Sequence, residues 1–95
     1  MAKKTVHFNN DGIQKLPNDK PVVYKILTNG GKNNYTGVAQ RGRVTERLQE
    51  HLPKGKNSVP GTKVQIEQMK SIKEAEAKES RIISHSKPPY NKKGK

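Results

Sequence analysis

Between Pro21 and Ile83 the apolar and polar positions alternate with the periods of regular elements, whereas both ends of the chain are polar and basic. Pro21-Val22-Val23-Tyr24-Lys25-Ile26-Leu27 is rich in β-branched residues and stops at Thr28-Asn29-Gly30-Gly31. Asn-Gly is a strong hairpin signal because both residues of a two-residue turn need φ > 0. Residues 34–39 then read as the return strand. A two-residue loop at Asn29-Gly30, or a four-residue loop from Thr28 to Gly31, pairs Tyr24 directly with Tyr35 on one face. A three-residue loop flips the parity and separates them. Val44, Leu48 and Leu52 recur at helical spacing up to Pro53, so residues 44–52 form a helix. Residues 53–61, with two prolines, two glycines, Lys54 and Lys56, form a loop. Thr62, Val64 and Ile66 alternate with Lys63, Gln65 and Glu67 as a half-buried third strand. Ser71-Ile72-Lys73-Glu74 is a capping box that starts a second helix at residue 72, reaching about Ser86 before Pro88-Pro89.

Outside this centre the pattern weakens. Residues 1–20 read as a partly ordered extension with one weak strand at 5–8, a turn over Asn9-Asn10-Asp11-Gly12, and Ile13 and Leu16 as anchors onto the core. Lys87 to Lys95 reads as a basic anchor, with residues 92–95 as a free tail. His7 has no acidic or histidine neighbour at metal spacing and is a surface or strand residue.

Composition alters this picture in two ways. Leu, Ile, Val and Phe number 18, about 19% of the chain, and the net charge is +12, which together raise a flag for disorder. The concentration of those residues in periodic segments confines any disorder to the ends. Twenty Lys and Arg against eight acids imply a polyanionic partner, and nucleic acid is the default. The absence of cysteine excludes a disulfide scaffold, thiolate zinc and a Cys nucleophile. No apolar run approaches the roughly 20 residues that span a bilayer, and the Met-Ala-Lys-Lys start lacks the apolar stretch of a signal peptide, so a cytoplasmic location is expected.

Three positions stand out chemically. Arg47 and His51 are four apart, stacked on one flank of the first helix and able to act on one ligand, or else Arg47 pairs with Glu46 or Glu50. Glu79 completes the apolar stripe Ile72, Ala75, Ile82, Ile83 of the second helix. An unpaired carboxylate there costs several kcal/mol, so it meets a metal, water, or a nearby Lys or Arg.

Taken in order, these pieces resemble the GIY-YIG nuclease superfamily. Val22-Val23-Tyr24 stands where that family has Gly-Ile-Tyr, and Tyr35-Thr36-Gly37 where it has Tyr-Ile-Gly. Arg47 with His51 follows on a helix, and the run Glu79 to Asn91, ending Pro88-Pro89-Tyr90-Asn91, is similar to the UvrC type of N-terminal domain. The resemblance covers residues 21–91. Val22 replaces the first glycine, Val38 stands where relatives often carry a polar side chain, and the segment from Tyr35 to Arg47 is about two residues longer than in compact relatives, which leaves Arg41 and Arg43 without a fixed placement.

The resemblance implies an α+β fold: a three-stranded antiparallel sheet flanked by helices in the order β-β-α-β-α. It also implies a metal-dependent endonuclease. In that reading Glu79 holds one Mg²⁺ or Mn²⁺, Arg47 forks the scissile phosphate, and Tyr35 or Tyr24 takes the proton from water. A phenol starts near pKa ~10 and needs a strongly positive site to come down. His51 relays that proton or holds the phosphate. Arg41, Arg43, Lys54, Lys56 and Asn91 belong to the nucleic-acid surface, with DNA expected and RNA left open. Target specificity comes from a partner protein or is low. The alternative is a binding or accessory module of the same fold that does not cleave, in which the tyrosines are cross-strand packing. A basic protein of ribosomal type explains the charge but not Glu79.

Overall fold

The computed structural model describes residues 3–52, 55 and 58–91, with Asn91 described by its backbone alone. In chain order the elements are β1 (Lys3–His7), α1 (Asn10–Gln14), β2 (Val22–Leu27), β3 (Asn33–Ala39), α2 (Val44–Gln49), β4 (Lys63–Gln68) and α3 (Ile72–Ser86), closed by a 3-10 turn at Pro89–Asn91. The strands form one antiparallel sheet in the order β1-β4-β2-β3. The class is therefore α+β, as expected, but the sheet has four strands and not three. The added strand lies in the N-terminal segment, where Lys3 to His7 pair with Glu67 to Lys63.

Helices cover both faces of the sheet. Val22, Tyr24 and Ile26 of β2 and Val64 and Ile66 of β4 face one layer, packed with Ile13 of α1 and with Val44 and Leu48 of α2. Val23 faces the other way and packs with Met69 and Ala75, joined by Val38, Ile72 and Ile82, so α3 lies on that side. This two-sided burial explains why β2 reads as a nearly unbroken apolar run and not as an alternating one. α1 forms where a turn was expected, because the Asn9 side chain accepts from the Gly12 N–H at 2.8 Å and caps a short helix. That helix buries Ile13 fully and leads to buried Leu16, the two anchors read from the sequence.

The hairpin departs from the expected register. Thr28 N–H donates to the Lys32 carbonyl and Gly31 N–H to the Thr28 carbonyl, both at 2.9 Å, which encloses a three-residue loop, Asn29 to Gly31. Gly31, not Asn29 or Gly30, takes the left-handed conformation, at φ 90°. Such a loop combines a type I turn with a left-handed third residue, so Asn-Gly does not form the expected two-residue turn. The parity it would reverse is restored at once, because the register shifts between Ile26, opposite Tyr35, and Leu27, opposite Asn33. Asn34 is the extra residue of that bulge, and its amide donates to the Pro60 carbonyl at 2.8 Å. Tyr24 therefore sits opposite Gly37, with Tyr35 on the same face but two pairs further along, opposite Ile26. The direct Tyr24–Tyr35 pairing is corrected to a diagonal one.

α3 begins as the capping box requires, with the Ser71 hydroxyl accepting from the Glu74 N–H at 3.2 Å, and ends at Ser86 before a left-handed Lys87. Among the described residues, no helix is long and apolar enough to cross a membrane.

Candidate active site

Tyr24, Tyr35 and His51 converge on the α2 side of the sheet. Diagonal cross-strand placement brings the two tyrosine rings to 6.2 Å between centroids. His51 arrives from beyond the end of α2. The helix was expected to run to Leu52, but it stops at Gln49, and His51 N–H and Leu52 N–H donate three residues back, to Leu48 and Gln49. This tightening of the last turn rotates the imidazole inward. Its ring centroid lies 4.7 Å from that of Tyr35 and 5.7 Å from that of Tyr24. The Tyr24 hydroxyl and His51 Nε2 are 2.9 Å apart, a buried hydrogen bond. His51 is also fixed through its backbone, since its carbonyl accepts from Val59 N–H at 2.9 Å. Arg47 and His51 consequently differ in exposure: the arginine side chain is 46% exposed, and the histidine is 5% exposed.

The place of Tyr24 depends on Gly37. A Cβ at residue 37 would lie 2.6 Å from the Tyr24 hydroxyl oxygen, 2.7 Å from its Cζ and 3.0 Å from Cε2 of Tyr35. The third residue of Tyr35-Thr36-Gly37 is thus the floor on which the phenol rests. Only a hydrogen side chain fits there.

The electrostatics oppose the expected activation of a phenol. Burial pushes the Tyr24 hydroxyl well above the ordinary phenol range, with Tyr35, Glu79 and Glu50 pushing the same way and Arg47 pulling it down. Tyr35, half-buried, is also raised, by burial and then by Glu79 and Glu50, against Arg47 and a hydrogen bond with Tyr24. The protein's own cations do not supply the strongly positive field that was expected. The same interactions nonetheless bring Arg47 of α2 and Glu79 of α3 into electrostatic contact with both phenols, although the two helices cover opposite faces of the sheet. Residues of both helices line an open groove of about 270 Å³ beside β3, the edge strand, together with Val38 and Gln40: Arg43 and Arg47 on one side, Ile72 and Glu76 on the other.

The expected residues divide accordingly. Tyr24, Tyr35 and His51 are in contact, and the charges of Arg47 and Glu79 reach both phenols. Arg43 lines the groove beside Arg47 while holding Glu46 at 2.9 Å, and Arg41 lies in the exposed turn before α2. Lys54, Lys56 and the Asn91 side chain lie outside the described residues. Glu50 was read only as a partner for Arg47, which it meets at 3.9 Å. It also acts on both tyrosines, and its position next to His51 is the signal that pointed there. The half-buried Glu79 is the site's carboxylate from α3. Among the described residues, no three His, Asp or Glu side chains converge, so a hard divalent ion would have Glu79 as its anchor and water for most other positions, a donor set that suits Mg²⁺. A scan against protein-family models, a search of curated proteins and a search of solved structures each gave no match.

Proposed function

We propose that the chain is a metal-dependent endonuclease of GIY-YIG type that hydrolyses phosphodiester bonds in DNA. The observation that carries this reading is the Tyr35, Tyr24, His51 cluster flanked by Arg47 and Glu79, five side chains from two strands, two helices and the turn that follows α2. Arg47, exposed at the groove, would bind the phosphate by its planar fork. Glu79 would hold a divalent cation, which when bound neutralises phosphate charge and acidifies water.

The raised phenols give the proton a specific route. Neither tyrosine needs to ionise if both act as neutral relays. Tyr35, the more accessible, takes a proton from water at its hydroxyl oxygen and gives its own to Tyr24, which gives its own to His51 Nε2. The route requires His51 in the tautomer protonated at Nδ1 and the Tyr24 hydroxyl turned to donate to His51, so that Tyr35 is the donor in its hydrogen bond with Tyr24. It assigns the base to His51 and makes Tyr24 the link, which accounts for a phenol held 1% exposed and bonded to an imidazole.

The same raised phenols favour a second reading, a nucleic-acid-binding module of this fold without cleavage, in which the cluster is packing. Supercoiled plasmid incubated with the protein, with and without Mg²⁺, separates the two. Nicking that needs the metal and is lost in both Tyr35→Phe and His51→Ala supports the nuclease. Retardation of the plasmid in a gel with no nicking under any divalent ion supports the module.

A further inference from the structure

On the far side of α3 from the tyrosine cluster, the helix and the sheet leave a second depression. Its wider part, about 660 Å³, is lined by Lys25 of β2 and by Ser80, Arg81, Ser84, His85 and Ser86 of α3, with Ile82 at its base. These linings include two fixed cations, three hydroxyls and an imidazole and, among the described residues, no carboxylate. A narrower part continues from it through the shared Lys25 and Ile82 toward β4 and β1, reaching Lys3, Gln65, Glu67 and Lys78. The one acid there is committed: Lys78 Nζ lies 2.6 Å from a Glu67 carboxylate oxygen. Burial works against that carboxylate's charge, yet the Lys78 hydrogen bond and charge, with help from Lys3, hold its pKa below the usual range. Among the described residues, the ion pairs involve neither Lys25 nor Arg81. The trough therefore offers uncommitted positive charge above an apolar base, with hydroxyl donors at its wide end.

We infer that this trough is a second phosphodiester track, which takes a stretch of nucleic-acid backbone on the side of α3 opposite the tyrosine site. Arginine and lysine with hydroxyl donors are the groups that meet phosphate oxygens. A single anion would fill only the wide end. The narrow continuation, about 80 Å³ and holding the Glu67 carboxylate, is too small for a nucleotide to enter, but Lys3 and Lys78 extend the positive rim of the wide end past Ile82, and the net charge of +12 favours a polyanion over a single anion. α3 then lies between two runs of backbone, with Glu79 toward one and Arg81 toward the other. The inference rests on the nucleic-acid part of the proposed function and does not depend on cleavage.

The test is the Lys25→Gln/Arg81→Gln double variant of the full chain, with duplex DNA binding measured across a series of salt concentrations. Two lost phosphate contacts flatten the slope of log K against log salt by about 1.8, which near 0.1 M salt is a roughly 60-fold weakening if the curves meet near 1 M. A Lys20→Gln/Lys32→Gln double variant, which removes the same charge from outside the trough, should flatten it clearly less. The melting temperature should stay that of the wild type. Shifts of the Ser84 amide and the His85 ring in NMR spectra should appear with duplex at concentrations where inorganic phosphate causes none. A slope unchanged in the Lys25/Arg81 variant, an equal fall in both variants, or a polyglutamate peptide that binds the trough as tightly as duplex would overturn the inference. If the trough variant behaves as expected while the plasmid is never nicked, the track stands and the nuclease reading falls.

Discussion

Gly37→Ala tests the packing on which the site depends. In an ordinary strand this change stabilises a protein by about 0.5–1 kcal/mol, because glycine loses more backbone freedom on folding. Gly37 does not have a positive φ, so its backbone would accept alanine. The added methyl, however, lies 2.6 Å from the Tyr24 hydroxyl oxygen and 2.7 Å from Cζ, and the ring it meets is 1% exposed and bonded to His51. Overpacking of this kind costs about 1–3 kcal/mol, and the displaced hydrogen bond about 0.5–1.5 kcal/mol more. After the backbone gain is subtracted, a net loss of about 2 kcal/mol is expected, or roughly 10 °C in melting temperature for a domain of this size. Urea denaturation of Gly37→Ala in the wild-type and Tyr24→Phe backgrounds divides the loss. The Phe ring keeps the close approach at Cζ but loses the hydroxyl oxygen, which is both the nearest atom and the partner of His51, so the cost should fall there by about 0.5–1.5 kcal/mol for the bond and by a further share of the overpacking. A Gly37→Ala protein as stable as the wild type, or more so, would refute the close approach and with it the placement of Tyr24.

Glu79→Gln should lower plasmid nicking on the order of 100-fold or more while duplex binding persists, since the charge that anchors the metal is lost. The same variant should bring the Tyr35 hydroxyl to titrate at lower pH, read by phenolate absorbance, because Glu79 pushes it up; a destabilised but fully active variant would rule out the metal role. Tyr24 and Tyr35 are raised above 10.0 in the folded state, so their contribution is intact below that pH and is lost as pH rises through and beyond it, by up to about 1.4 kcal/mol per pH unit for each residue. Melts of Tyr24→Phe and Tyr35→Phe should each show a shallower alkaline limb, and a limb identical to wild type in both counts against the shifts. Lys78→Gln should cost about 0.2–1 kcal/mol at neutral pH, given a partly exposed pair. Glu67 is lowered from 4.5, so the difference between variant and wild type should vanish as pH falls below that value, and a difference that persists in acid would contradict it.

Periodic segments were legible in the sequence because burial imposes period. The capping box at Ser71, the stripe that exposes Glu79 as an anomaly, and the alternation of Val64 and Ile66 each reflect a choice between water and core. What escaped depends on partners far away in the chain. β1 showed in the sequence as a weak strand at 5–8 left outside the sheet: Val6 is its one half-buried apolar residue, so its place in the sheet comes from the β4 edge it pairs with and not from its own pattern. The inward turn of His51 comes from a helix that ends one turn early, which apolar spacing through Leu52 conceals. The raised phenols required knowing that Glu50 and Glu79, on different helices, reach the same two rings.

The hairpin between β2 and β3 has a consequence for how this chain can vary. The facing of Tyr35 is set by which residues pair and not by how many lie in the turn: with Thr28 meeting Lys32, the bulge at Asn34 is what carries Tyr35 opposite Ile26, on the side of Tyr24. A residue lost from or added to Asn29-Gly30-Gly31 leaves those pairs unchanged as long as Thr28 still meets Lys32. Absorbing Asn34 into the ladder would set Tyr35 opposite Lys25 and exchange the site's inside for its outside. The tip of the hairpin is thus free to vary in length, whereas the bulge behind it is not.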